Sequence, residues 1–234
     1  MAGIIIMDFD DVLVNSSTKA FSLIRSNWRV FNRWFVDSGP LSEEEIYARK
    51  AFSFNDFLLK KEFINLTPKE YTALHLLIDA ELGKRVFNGT LYDDLEPTKL
   101  ARKTLMNEMY IGSSNIKKVY ILSRNMTEAQ HQSKLRFIKK YFSNEKIEYI
   151  DVKYNENKAD VIKHNKVDWN LVIDDELKNI RDIVEAEENM TRKEILIPQY
   201  GYNKMDITLK MLINGKGGIY TYYDPFKEFE ISVK

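Results

Sequence analysis

Three carboxylates within four positions, Asp8, Asp10 and Asp11, close the apolar run over residues 4–7. Asp8 and Asp10 lie two apart, so in extended chain both side chains point the same way. Burying an unpaired carboxylate is very costly. A cluster of them at a buried strand end therefore needs a cation, hydrogen bonds or water. Two carboxylates so placed suit a magnesium ion and the handling of phosphate. The plain alternative is an Asp-rich turn, since Asp forms turns readily. Residues far downstream weigh against it. Ser123 follows the apolar stretch 119–122, Asp174 and Asp175 follow 171–173, and Lys158 stands between these two strand-like stretches. Carboxylates serve a metal, while a hydroxyl and an ammonium serve phosphate oxygens.

The elements that must gather these groups are readable from periodicity. Residues 3–9 form an apolar stretch expected to be a buried strand. Residues 16–90 read as helical throughout. Gly39-Pro40 interrupts them, Ser42 and Glu45 have capping-box spacing, and Thr67-Pro68-Lys69-Glu70 is a helix start. A helix starting at Pro97 is expected to reach about residue 110, and from there strands and helices alternate. Strands are expected over 118–122, 147–152, 169–173 and 194–197. Thr127 with Gln130 caps the helix after the first of these, a short helix follows Lys158, and another begins near 176. Gly215, Gly217 and Gly218 predict a turn into an edge strand over 219–223. Such alternation gives right-handed βαβ units, hence an α/β fold with a parallel sheet covered by helices on both faces. Open sheets of this type bind ligands beyond the carboxyl ends of their strands. That edge would hold Asp8, Asp10, Asp174, Asp175, Ser123 and Lys158 together.

Composition sets the frame. With 234 residues, 44% hydrophobic and 30% charged, the chain is an ordinary globular one, long enough for a core domain and a smaller companion. Its formal net charge is +0, from 35 basic and 35 acidic residues, which gives no electrostatic case for a nucleic-acid polymer or a membrane surface. There are 0 cysteines, so disulfides and thiolate metal sites are excluded. No run approaches membrane-spanning length or a signal peptide, and a cytoplasmic location is expected.

In order and in context, four of these motifs resemble the haloacid dehalogenase (HAD) superfamily of phosphotransferases. Asp8-Phe9-Asp10 resembles its first motif, Ser123 its second, Lys158 its third and Asp174-Asp175 its fourth. The resemblance implies a Rossmann-like core over residues 1–15 and 91–234. It also implies a helical cap domain inserted at 16–90, since the stretch from Asp8 to Ser123 is far longer than one crossover needs. It implies Asp8 as nucleophile and Asp10 as acid and base. Mg²⁺ would be held by Asp8, the Asp10 carbonyl, Asp174 and, directly or indirectly, Asp175. Ser123 and Lys158 would hold the phosphoryl group. Asp11 departs from the family pattern, which often has Gly there; Asp tolerates unusual backbone angles better than most residues.

The implied activity is Mg²⁺-dependent hydrolysis of a small phosphorylated substrate through an aspartyl-phosphate. The segments around Asp8 and Asp174 resemble the deoxyribonucleotidase branch, which points to a 5′-nucleotidase. The alternatives are a sugar-phosphate phosphatase, a phosphomutase and a non-catalytic binding protein of the same fold. Arg124 and Asn125 are further substrate-binding candidates, although a polar loop after a strand needs no such role. Ser123 and Asp175 could instead cap helices. The aromatics Trp28, Phe31, Trp34, Phe35, Phe52, Phe54 and Phe57 offer stacking surfaces for a base, with plain core packing the commoner use of such residues. His75, His131 and His164 lack metal-ligand spacing.

Overall fold

A computed structural model of the chain describes residues 3–19, 83–106, 115–200 and 202–225, with a few positions between 67 and 80. The aromatic residues 28–57 singled out above, and most of the expected cap, lie outside the described residues.

Six parallel strands form one sheet in the order β3-β2-β1-β4-β5-β6. They are β1 (Gly3–Asp8), β2 (Ile116–Asn125), β3 (Ile147–Lys153), β4 (Leu171–Ile173), β5 (Glu194–Pro198) and β6 (Ile219–Tyr223). The helices are α1 (Lys84–Phe87), α2 (Lys99–Ala101), α3 (Glu128–Tyr141), α4 (Lys158–His164), α5 (Leu177–Ala186) and α6 (Ile207–Gly215). β1 is central because its isoleucines favour extended chain and bury on both faces. Ile5 and Met7 enter one core with Val119, Ile121, Leu100 and Phe137. Ile6 enters the other with Leu122, Val172, Ile180 and Ile213. Helices therefore cover both faces, as the alternating pattern predicts.

Local signals place the helices. Thr127 Oγ1 accepts from the Gln130 N–H at 3.2 Å, Asn157 Oδ1 from the Ala159 N–H at 2.9 Å, and Asp206 Oδ1 from the Leu209 N–H at 2.7 Å. α6 was not expected from the sequence; its outer face carries exposed Ile207 and Met211, which blur the amphipathic pattern. The helix expected after Pro97 starts at Lys99 and turns into a wider π-type coil at Arg102–Met106. The Thr98 hydroxyl donates to the Val12 carbonyl at 2.7 Å, and the Thr98 N–H to the Leu13 carbonyl at 2.8 Å. These bonds fasten the segment to the exit from β1.

β2 is longer than the sequence suggests. It pairs with β3 as far as Asn125 opposite Lys153, so Ser123, Arg124 and Asn125 lie in the strand rather than in a loop after it. Strand alternation sends Ser123 and Asn125 to one face and Arg124 to the other.

Candidate active site

Asp8 ends β1 and Asp174 immediately follows β4, its neighbour in the sheet. Lys158, the first residue of α4, reaches between them. Its ammonium lies 2.8 Å from Asp8 Oδ1 and 2.7 Å from Asp174 Oδ2. Burial works against the Lys158 charge, yet Asp174 and Asp8 together outweigh it and hold the ammonium above its ordinary range. The Phe9 N–H also donates to Asp8 Oδ1, at 2.7 Å. Asp174 is fixed further by the Glu176 N–H at 2.9 Å and the Asn179 amide at 3.3 Å.

Asp175 is buried beside them and does not cap α5, whose N-cap is Glu176. The Tyr202 hydroxyl donates to Asp175 Oδ2 at 2.6 Å, and the Asn203 amide to its carbonyl at 3.2 Å. Asp8, Asp174 and Asp175 each offer one carboxylate oxygen, and these lie within 4.8 Å of one another. Burial pushes the Asp8 carboxyl up to about 7 against the pull of Lys158, with Asp174 and Asp10 adding repulsion. Burial, then Asp11, Asp8 and Asp174, push Asp175 well above the carboxylate range. One ammonium thus faces three crowded carboxyl groups. A divalent cation among hard oxygen donors would remove the repulsion, and Mg²⁺ fits that donor set.

Asp10 and Ser123 meet through a residue that was not singled out in the sequence. The Lys134 ammonium, on α3, lies 2.6 Å from Asp10 Oδ2 and donates to Ser123 Oγ at 2.7 Å. The Tyr92 hydroxyl donates to Asp10 Oδ1 at 3.1 Å. A signal for Lys134 does exist: Gln130, Lys134, Phe137, Ile138 and Tyr141 share the helix face whose apolar members bury. A lysine in a buried stripe needs a partner. Ser123 caps no helix; it is fully buried inside β2.

The two neighbouring candidates are engaged within the protein. Arg124 Nη2 donates to the Glu156 carbonyl at 3.3 Å. The Asn125 amide donates to Asp151 at 2.6 Å and to the Tyr149 hydroxyl at 2.7 Å. Asp11 takes a left-handed backbone, φ 54°, where the resembled family often has glycine. Its carboxylate accepts from the Ser17 N–H at 2.9 Å and from the Ser17 hydroxyl, and its carbonyl accepts from the Tyr200 hydroxyl at 2.8 Å.

No protein-family model matches the chain, and no curated protein does. Solved structures do match. A putative β-phosphoglucomutase from Thermotoga maritima superposes with a TM-score of 0.51 at 14% identity, over 96% of this chain and 95% of that one. A conserved haloacid dehalogenase-like protein of unknown function from Agrobacterium tumefaciens gives 0.51 at 17% identity, over 94% and 93%. A putative haloacid dehalogenase-like hydrolase from Bacteroides fragilis gives 0.51 at 10%, over 95% and 98%. The fold is that of the haloacid dehalogenase-like hydrolases. In this fold the four sequence motifs stand on β1, β2, α4 and the end of β4, and the sheet order sets β1 between β2 and β4.

Proposed function

We propose that the chain is a Mg²⁺-dependent phosphomonoester hydrolase that works through an aspartyl-phosphate on Asp8, with a nucleoside monophosphate as substrate and a cytoplasmic setting. The observation that carries this reading is the meeting of Asp8, Asp174 and Asp175 around one point, with Lys158 bridging two of them. Asp8, Asp174, Asp175 and the Asp10 carbonyl would hold Mg²⁺, which supplies charge neutralisation for the incoming phosphate. Residues 16–90 serve as the cap in this reading.

The steps follow from the donors. Both donors to Asp8 fall on Oδ1, which leaves Oδ2 to meet phosphorus. The Asp8 Oδ2–P bond forms and the ester P–O bond breaks, while Asp10 gives a proton to the departing oxygen. Water then attacks the phosphorus and returns a proton to Asp10, and the bond to Asp8 breaks. Lys158 offsets the charge of Asp8 and phosphate together, and the Ser123 hydroxyl donates to a phosphoryl oxygen.

The nucleotide preference rests on the resemblance of the segments around Asp8 and Asp174 to deoxyribonucleotidases. A panel of nucleoside monophosphates, sugar phosphates and an aryl phosphate, assayed for phosphate release with Mg²⁺, tests both levels. Release from sugar phosphates alone would remove the nucleotidase reading, and no release from any would remove the phosphatase. A phosphomutase is the second reading, because the Thermotoga maritima neighbour is a putative β-phosphoglucomutase. Isomerised product in place of free phosphate would favour it.

A further inference from the structure

Lys134 is fully buried, and its ammonium meets three acceptors: Asp10 Oδ2 at 2.6 Å, Ser123 Oγ at 2.7 Å and the Arg124 carbonyl at 3.3 Å. An ammonium has three donors and no acceptor, so this set uses all of them. The charge also sits 5.1 Å and 5.0 Å from the ring centres of Phe9 and Tyr92. Tyr92 completes the arrangement. Its hydroxyl accepts from the Gln130 amide at 3.0 Å and donates to Asp10 Oδ1 at 3.1 Å. Each oxygen of Asp10 is thereby held by its own donor. Ser123 Oγ accepts from Lys134, and the Ser123 hydroxyl also bonds to the Tyr149 side chain.

A buried ion pair is a poor stability device, since apolar residues of the same volume often serve better. Here the lysine is enclosed while the Asp10 side chain is 37% exposed, and a return other than stability is expected of the pair. We infer that Lys134 and Tyr92 are positioning residues that hold Asp10 at its proton-transfer station. The inference rests on the phosphatase reading and adds to it a second cation, on a different helix from Lys158.

Leaving-group dependence separates positioning from mere support. A nitrophenolate departs without a proton, whereas an alkoxide needs one from Asp10. The ratio kcat/KM reports only the steps up to phosphoryl transfer, so the later base step does not confuse the comparison. The experiment measures kcat/KM for 4-nitrophenyl phosphate and for the alkyl phosphate, nucleotide or sugar, that the wild type cleaves best. Lys134→Met keeps the stem and removes the charge; Tyr92→Phe removes only the hydroxyl. Lys134→Met is expected to lose about tenfold or more extra on the alkyl phosphate, within the usual reach of general acid catalysis. Tyr92→Phe is expected to lose in the same direction by less. Equal losses on both substrates, or none, overturn the inference while the phosphatase reading stands. Should Lys134→Met fail to fold on thermal melting, Tyr92→Phe decides alone: a selective alkyl loss supports the inference, and an equal or absent loss overturns it. A wild type inert toward every phosphate would overturn the phosphatase reading, and this inference with it.

Discussion

Replacing Lys158 with Met would leave Asp8, Asp174 and Asp175 crowded without a covalently attached positive charge. The ammonium stands 2.8 Å and 2.7 Å from two of them, all in the interior. Breaking a buried pair by removing one partner costs about 3–5 kcal/mol. For a chain of this length that lowers Tm by about 6–20 °C. The deficit should depend on pH. Asp8 is already pushed up to about 7 with Lys158 pulling it down, so without Lys158 it rises further. A folded carboxyl with a raised pKa binds protons that the unfolded chain has released. Stability is then greatest below about pH 4 and is lost as pH rises through the folded value. The deficit of Lys158→Met relative to wild type should accordingly be steady from pH 5 to about pH 7, where Asp8 is protonated in both folded proteins, and larger at pH 8 by up to about 1.4 kcal/mol, one proton over one pH unit. Mg²⁺ at pH 8 should narrow it, because a cation bound only by the folded state stabilises that state. Urea denaturation at both pH values, with Mg²⁺ and with a chelator, measures all of this. A deficit equal at both pH values and unmoved by Mg²⁺ would refute the electrostatic account.

Other outcomes are expected from the same geometry. Asp8→Asn should abolish phosphate release on every substrate of the panel while leaving the melting curve folded; surviving activity would refute the nucleophile. Ser123→Ala should lower kcat by about 10²-fold, the usual cost of one donor to a developing charge, as read from steady-state kinetics. Tyr202→Phe takes the 2.6 Å donor from Asp175 and should weaken Mg²⁺ activation by about 10–100-fold in a metal titration. Gly89→Ala should cost about 2–5 kcal/mol in a thermal or urea melt, since φ is +77° and an added Cβ would stand 2.6 Å from the Ala129 carbonyl oxygen and 2.8 Å from Ser133 Cβ.

The carboxylates were legible because acid at the end of an apolar run is expensive and therefore informative. Asp8 and Asp174 could be placed at strand ends on one edge of the sheet, and Lys158 at the start of a helix; that the two strands are neighbours shows only in the pairing of β1 with β4. The reach of β2 was not legible. Ser123, Arg124 and Asn125 look like a polar loop, and only pairing with Asp151, Val152 and Lys153 keeps them extended. Lys134 was hidden by its neighbours, since Ser133, Arg136, Lys139 and Lys140 make the helix look solvated everywhere except along its buried stripe. Tyr92, Tyr202 and Asn203 were hidden for another reason. They reach the site from segments whose periodicity says nothing of a partner more than twenty residues away. α6 was missed because apolar residues stand on its outer side as well as its inner one.

The middle place of β1 has a bearing on how the chain is made. Its flanking partners are β2 and β4, and Gly3 sits opposite Ile116. A ribosome therefore releases a sticky isoleucine-rich ribbon long before either neighbour exists. At ordinary translation speeds the wait for about 110 residues is roughly 5–20 s, ample time for mispairing between nascent copies. Assembly of the sheet is necessarily late and non-local, which favours slow folding and shielding of β1 by chaperones.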